Sequence, residues 1–149
     1  MTVADDTLHT LRTWGRMPGG ELRTRLQVSR ATLMRAVQAL GPTVVMRGQA
    51  RNTAYAARRA LRGSEAPLPL YSVHASGAGD EVGLLHPLAP AGCVLDGALE
   101  LGWPLDTHMR AGWFDGLPYL LDDMRPQGFL GRHFARQHAA LMQVADDPS

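Results

Sequence analysis

The chain has 149 residues, 45% of them hydrophobic, and a formal net charge of +1, a length that builds one or two small domains rather than a large multi-step enzyme. No apolar run reaches the roughly 18–20 residues that cross a bilayer, and the N-terminus MTVADDTLHT lacks the basic-then-apolar order of a secretion signal, so a cytoplasmic protein is expected. Cys93 is the single cysteine, which excludes an intrachain disulfide and a thiolate cluster for zinc.

The charge is unevenly divided. Residues 1–62 carry eleven arginines against Asp5, Asp6 and Glu21, a balance of +8, whereas residues 63–149 carry four arginines against eleven acids, a balance of −7. Asymmetry of this size points to a polyanion-binding half joined to one that stays off the polyanion or meets a different partner. The stretch LRGSEAPLPL interrupts both periodicities with Gly, Ser and two prolines, which places the expected domains at 1–62 and 68–149.

In chain order, Asp5 or Asp6 is expected to cap a first helix through DTLHTLRTW, with Leu8, Leu11 and Trp14 at helical spacing and Gly15 as its stop. A second helix starts near Glu21. Ser29 is a good N-cap for a third, and Gly41 supplies its left-handed end. At about 100° per residue, Leu33, Val37 and Leu40 share the inner face, while Ala31, Arg35 and Gln38 project outward; Met34 is expected to complete the packing. The runs TVVM and TAYAA, joined by RGQARN, read as a short basic hairpin.

Three helices and a basic hairpin make residues 4–60 resemble a winged helix-turn-helix domain. Arginine can grip guanine O6 and N7, and glutamine can pair with adenine N6 and N7. The expected partner is therefore double-stranded operator DNA. Ser29, Arg30, Thr32, Arg35 and Gln38 would meet it from the third helix, and Arg47, Arg51 and Asn52 from the hairpin, with a homodimer on an inverted repeat as the default. The competing reading is a solvated or protein-binding arginine face.

From Leu68 the pattern changes to period two. LYSVHAS alternates Tyr71, Val73 and Ala75, GAGD is a loop, and EVGLLHPL and GCVLD read as further strands of a small antiparallel sheet. WFDGLPYLLDDMRPQGFLGRHFARQHAALM reads as two helices broken at RPQG, Phe114, Leu117, Leu120 and Leu121 lining the first and Phe129, Leu130, Phe134 and His138 lying along the second. The fold class is thus α+β. SGAGDEVG lacks GxGxxG spacing and reads as a hairpin turn rather than a phosphate cradle. His133 and His138 are five apart, which turns them to different helix faces, Asp122 and Asp123 diverge, and Cys93 reads as a small core residue. No catalytic residue, metal or cofactor is expected.

GLLHPLAPAGCVL followed by FDGLPYLLDDMRPQGFLGR is similar to the N-terminal subdomain of HipA-like serine/threonine kinases, the toxins of bacterial toxin–antitoxin systems. It is most like the branch called YjjJ, in which a winged helix precedes this subdomain. The resemblance covers residues 68–145 and implies a HipA-like kinase as partner, in cis or in trans. The kinase machinery itself has no counterpart: the chain contains no lysine to hold phosphates. Two functions follow. One is a DNA-binding regulator that joins the operator binding of HipB to the kinase contact of HipS; the other is the regulatory N-terminal part of a YjjJ-type kinase whose catalytic region lies outside this chain. A one-component regulator with a small ligand finds no convergent polar set in the sequence.

Overall fold

The computed structural model describes residues 1–97 and 105–122. Two compact units divide at Gly116. The first is a mixed α+β unit with two antiparallel sheets. Of the second, the description covers 117–122, where α5 spans Tyr119–Asp122 and Leu121 N–H donates to the Pro118 carbonyl. The expected second helix, with Phe129, Leu130, Phe134, His133 and His138, lies outside the described residues.

Helix α1 spans Val3–Trp14, beginning before the expected start. Its cap is Thr2, not Asp5 or Asp6. The Thr2 hydroxyl accepts from Asp5 N–H at 3.2 Å while the Asp5 carboxylate accepts from Thr2 N–H at 2.9 Å, so two first-turn donors are satisfied reciprocally. Leu11 is buried, whereas Trp14 is 64% exposed beneath the Arg25 guanidinium, 4.6 Å from its ring centroid. A two-residue strand, β1 (Met17–Pro18), then leads into α2 (Gly19–Leu26), which starts two residues ahead of Glu21.

Helix α3 spans Arg30–Leu40 and follows its sequence pattern. Ser29 Oγ accepts from Thr32 N–H, Gly41 caps the C-terminus at φ +54°, Leu33 is buried, and Val37 and Leu40 pack on the same core. Strands β2 (Val44–Arg47) and β3 (Ala54–Ala57) form the hairpin, with Val44 opposite Ala57, and β1 pairs the far side of β3 to give the order β1-β3-β2.

The central strand β3 is buried on both faces. Tyr55 and Ala57 join Leu11, Leu22 and Leu33 under the helices, while Ala54 and Ala56, with Val45, join Leu88, Val94 and Trp113 of the second half in another apolar layer. Backbone bonds also cross: Ala89 N–H donates to Ala57 O and Arg59 N–H to Pro87 O, both at 2.9 Å.

The second sheet has the order β4-β5-β6-β7, from β4 (Leu68–Val73), β5 (Gly79–Pro87), β6 (Cys93–Gly97) and β7 (Trp113–Phe114). The first three stand where strands were expected, but exposure along them does not alternate. Tyr71 and Val73 are both exposed, β5 runs from an exposed start to a buried end, and Ala75 falls in the hairpin turn at 74–78, where His74 N–H donates to Ala78 O. Phe114 is a correction: Trp113 and Phe114 pair antiparallel with Val94 and Cys93 as a strand instead of opening a helix. A short helix, α4 (Thr107–Arg110), capped by the Asp106 side chain, precedes it. Cys93 is buried, and burial pushes its thiol up to about 11, as a core residue requires.

A polar joint runs through the same contact. Asp96 on β6 accepts from Arg47 Nη2 on β2 at 2.5 Å through one oxygen, and its other oxygen lies 3.0 Å from His86 Nε2. His86 is 5% exposed, and its Nδ1 is buried without a partner among the described residues. Burial, and then the Arg58 charge, hold His86 below its ordinary pKa, against the hydrogen bond and charge of Asp96. Burial alone would raise Asp96, but the bond and charge of Arg47, and after them those of His86, outweigh it and lower its pKa.

For His86 the unfolded chain takes up a proton near pH 6.5, before the folded chain does, so its contribution to stability is complete above that pH and declines as pH falls through the folded value. Asp96 acts in a lower window, its contribution complete above its ordinary value near 3.9 and lost below it. Between pH 7.5 and 5.5 the thermal midpoint should therefore fall, and His86→Gln, which keeps an amide donor for Asp96 but does not titrate, should flatten that decline. An unchanged slope in the variant would assign the decline to other groups.

Candidate nucleic-acid interface

Three of the eleven arginines of the first half meet where α2, the start of α3 and the hairpin loop come together. There a cleft of about 450 Å³ is lined by Arg23, Arg30 and Arg51 over a floor that includes Leu33, Met34 and Tyr55. No acidic side chain among the described residues lines it. Among the described residues no ion pair engages any of these three arginines, so three guanidinium charges face one concavity. Such a concavity attracts anions, and low-dielectric walls concentrate its field.

Local sequence explains how the cleft forms. Gly19 N–H donates to Thr53 O at 3.1 Å, which ties the start of α2 to the entry of β3. A Cβ at Gly19 would stand 2.9 Å from the Tyr55 ring, so the approach needs glycine. In the hairpin loop, Gly48 takes φ +111°, and a Cβ there would meet the Asn52 carbonyl at 2.3 Å. That closeness folds 50–52 into a short turn which carries Arg51 into the cleft. Met34, expected in the packing, is instead 40% exposed at the cleft, its sulfur accepting from the Tyr55 hydroxyl at 3.6 Å.

The residues singled out from the sequence fall in four places. Arg30 and Arg51 share the cleft. Ser29, Thr32 and Arg35 form a chain on exposed α3: Ser29 Oγ lies 3.0 Å from Thr32 Oγ1, and Arg35 Nη2 donates to Thr32 Oγ1 at 3.4 Å, with Gln38 exposed one turn beyond Arg35. Arg47, in contrast, is held by Asp96 on the opposite side of β3. Asn52 is exposed in the hairpin loop and lines the neighbouring cleft toward α4 instead.

Arg23 is the residue that sequence reasoning missed. It lies on α2 inside the run LRTR, one turn after Gly19 and Gly20. Only its distance from the glycine pair could have suggested a role, and its cleft partners come from two other elements. Among the described residues no cluster of His, Cys, Asp and Glu could hold a metal ion, and no helix is long and apolar enough to cross a membrane.

Comparison with known proteins adds a lineage to this geometry. The family described as "YjjJ-like toxin, middle domain" matches residues 64–149. The protein Toxin YjjJ of Escherichia coli (strain K12) is 40% identical over 133 residues, covering 85% of this chain and 26% of the relative, so the chain spans about a quarter of that protein's length. No solved structure matches the chain significantly.

Proposed function

The chain belongs to the YjjJ-like toxin family, and from that premise we propose that it is the DNA-binding regulatory part of a HipA-like toxin–antitoxin system. In this reading residues 1–62 are a winged helix-turn-helix that binds operator DNA, and 68–149 are the module through which a HipA-like kinase is controlled. The observation that carries it is the cleft of Arg23, Arg30 and Arg51 beside the exposed polar face of α3. Helix α3 enters the major groove, with Arg35 and Gln38 at base edges. Ser29, Arg30 and Thr32 stand at its N-terminal end beside the phosphates, and Arg51 and Asn52 reach the backbone from the wing. Arg47 braces the wing through Asp96, a part different from the phosphate contact expected of it. The protein acts in the cytoplasm, as a homodimer on an inverted repeat.

A second reading is favoured by one observation: the relative named a toxin is about four times as long as the stretch this chain covers. The chain is then the regulatory N-terminal part of a YjjJ-type serine/threonine kinase, and DNA binding belongs to the kinase itself. A reading frame that continues beyond Ser149 into a lysine- and aspartate-bearing region favours this version; a stop codon followed by a separate kinase gene favours the free-standing regulator.

Fluorescence anisotropy with the upstream region and a scrambled duplex, at two salt concentrations, tests the shared premise. Preferential, salt-sensitive binding is expected. Arg35→Ala should relax the preference for the upstream region by about 1–3 kcal/mol, or roughly 5- to 150-fold, whereas Arg51→Ala should weaken both duplexes similarly. Equal affinity for both duplexes in the wild type would sink the operator reading.

A further inference from the structure

A second cleft, also about 450 Å³, opens where the other side of the hairpin loop meets β1 and α4. Its polar lining includes Arg16, which Asp115 pairs at 3.3 Å from outside the cleft, Arg51 and His108, with Thr107 at the start of α4, and among the described residues no acidic side chain lines it. Its apolar lining includes Met17 and Trp113, which are 2% and 3% exposed and fixed by the strands that carry them. The cleft therefore joins the Arg51 guanidinium, an imidazole and the Arg16 guanidinium, which Asp115 and the Trp113 ring already engage on one side, to an apolar lining. Its volume lies within the range of small-ligand sites, about 300–1,000 Å³.

We propose that this cleft binds a small organic anion with a flat apolar body. Each half of the lining selects one part of such a ligand. The cations favour an anionic group, as carboxylate or phosphate esters present in forked geometry to guanidinium. The apolar lining, in which Pro18 and Ala111 are accessible beside the buried Met17 and Trp113, gains by removing an apolar ring from water, at roughly 25 cal/mol per Å² buried. A bare inorganic anion would leave that lining unused, and a neutral aromatic would leave Arg51 unmet, since no ion pair among the described residues engages it. The site is composite: Arg16, Met17 and Arg51 come from the basic half, and Thr107, His108 and Trp113 from the acidic half. It does not depend on the DNA reading.

The test uses the whole chain and the probe 1-anilinonaphthalene-8-sulfonate, an organic anion with a fused aromatic body. Saturable one-site binding with blue-shifted emission is expected, and AMP should displace the probe where inorganic phosphate at equal concentration does not. Thr107→Phe fills the cleft from an exposed position, and His108→Glu, also exposed, puts a negative charge into the lining. Each should weaken the probe at least tenfold with an unchanged thermal midpoint. Full-strength binding in both folded variants overturns the site. Displacement by phosphate as effective as by AMP overturns the organic-anion assignment, and displacement by duplex DNA alone makes the cleft part of a polyanion surface and overturns it as well.

Discussion

Trp113→Ala should cost about 3–5 kcal/mol of folding stability, as truncations of buried Phe and Trp do. The side chain is 3% exposed and fills the layer in which Val45, Ala54 and Ala56 of the first half meet Leu88 and Val94 of the second. Arg16 also lies over its ring, 5.5 Å from the centroid. Against a total of about 5–15 kcal/mol for a small domain, the loss is a large fraction. The informative readout is urea unfolding followed by far-ultraviolet circular dichroism and by near-ultraviolet signals together. Both should move to lower urea in step, because the layer belongs to both halves. A helical signal that keeps its original midpoint while the rest shifts would mean that the two halves unfold independently.

The second large effect concerns DNA. Replacing Arg23, Arg30 and Arg51 together by alanine empties the basic cleft of its permanent charges. If each meets one phosphate, the slope of log K against log salt concentration should become shallower by about 2.7, and affinity at low salt should drop by about a hundredfold or more. Arg47→Ala makes the useful contrast. Its guanidinium is engaged by Asp96, so its loss should lower thermal stability while changing the salt slope by less than one unit. A slope that stays at the wild-type value in the triple variant would move the phosphate contacts elsewhere.

How far the sequence alone could lead follows the range of the interactions involved. Helix α3 was legible because everything that defines it is local: Ser29 as cap, Gly41 as stop, and Leu33, Val37 and Leu40 at helical spacing. Strands β4 to β6 were legible from short β-prone runs in the sequence, a local signal, although burial along them does not alternate. Strands β1 and β7 were not. A two-residue strand has no period, and each exists only because a remote partner, β3 or β6, offers it a hydrogen-bonding edge. The Thr2 cap was within reach, since Thr2 and Asp5 hold capping-box spacing, but the two adjacent aspartates offered an equally local alternative.

The site divides along the same line. That Arg30 and Arg51 would be exposed was legible from polarity; that Arg23 would join them was not, because the cleft depends on the Gly19–Thr53 backbone bond and the turn at 50–52. The diversion of Arg47 to an acid 49 positions away leaves no trace in local pattern. The convergent polar set that is missing from the sequence of the second half arises only when Thr107 and His108 come up against the hairpin loop.

The two-faced burial of β3 also bears on how such proteins can be inherited. A reader of DNA that packed alone could be exchanged between lineages by recombination at residues 62–68 without further change. Here an incoming helical half would have to bring along surfaces matched to its new neighbour: small side chains at 54 and 56 to seat Trp113, a cation at 47 for Asp96, and another at 16 for Asp115. Shuffling at that boundary is therefore filtered by fit, and the two halves are expected to descend together, changing by paired substitutions across the shared layer rather than by exchange of either half.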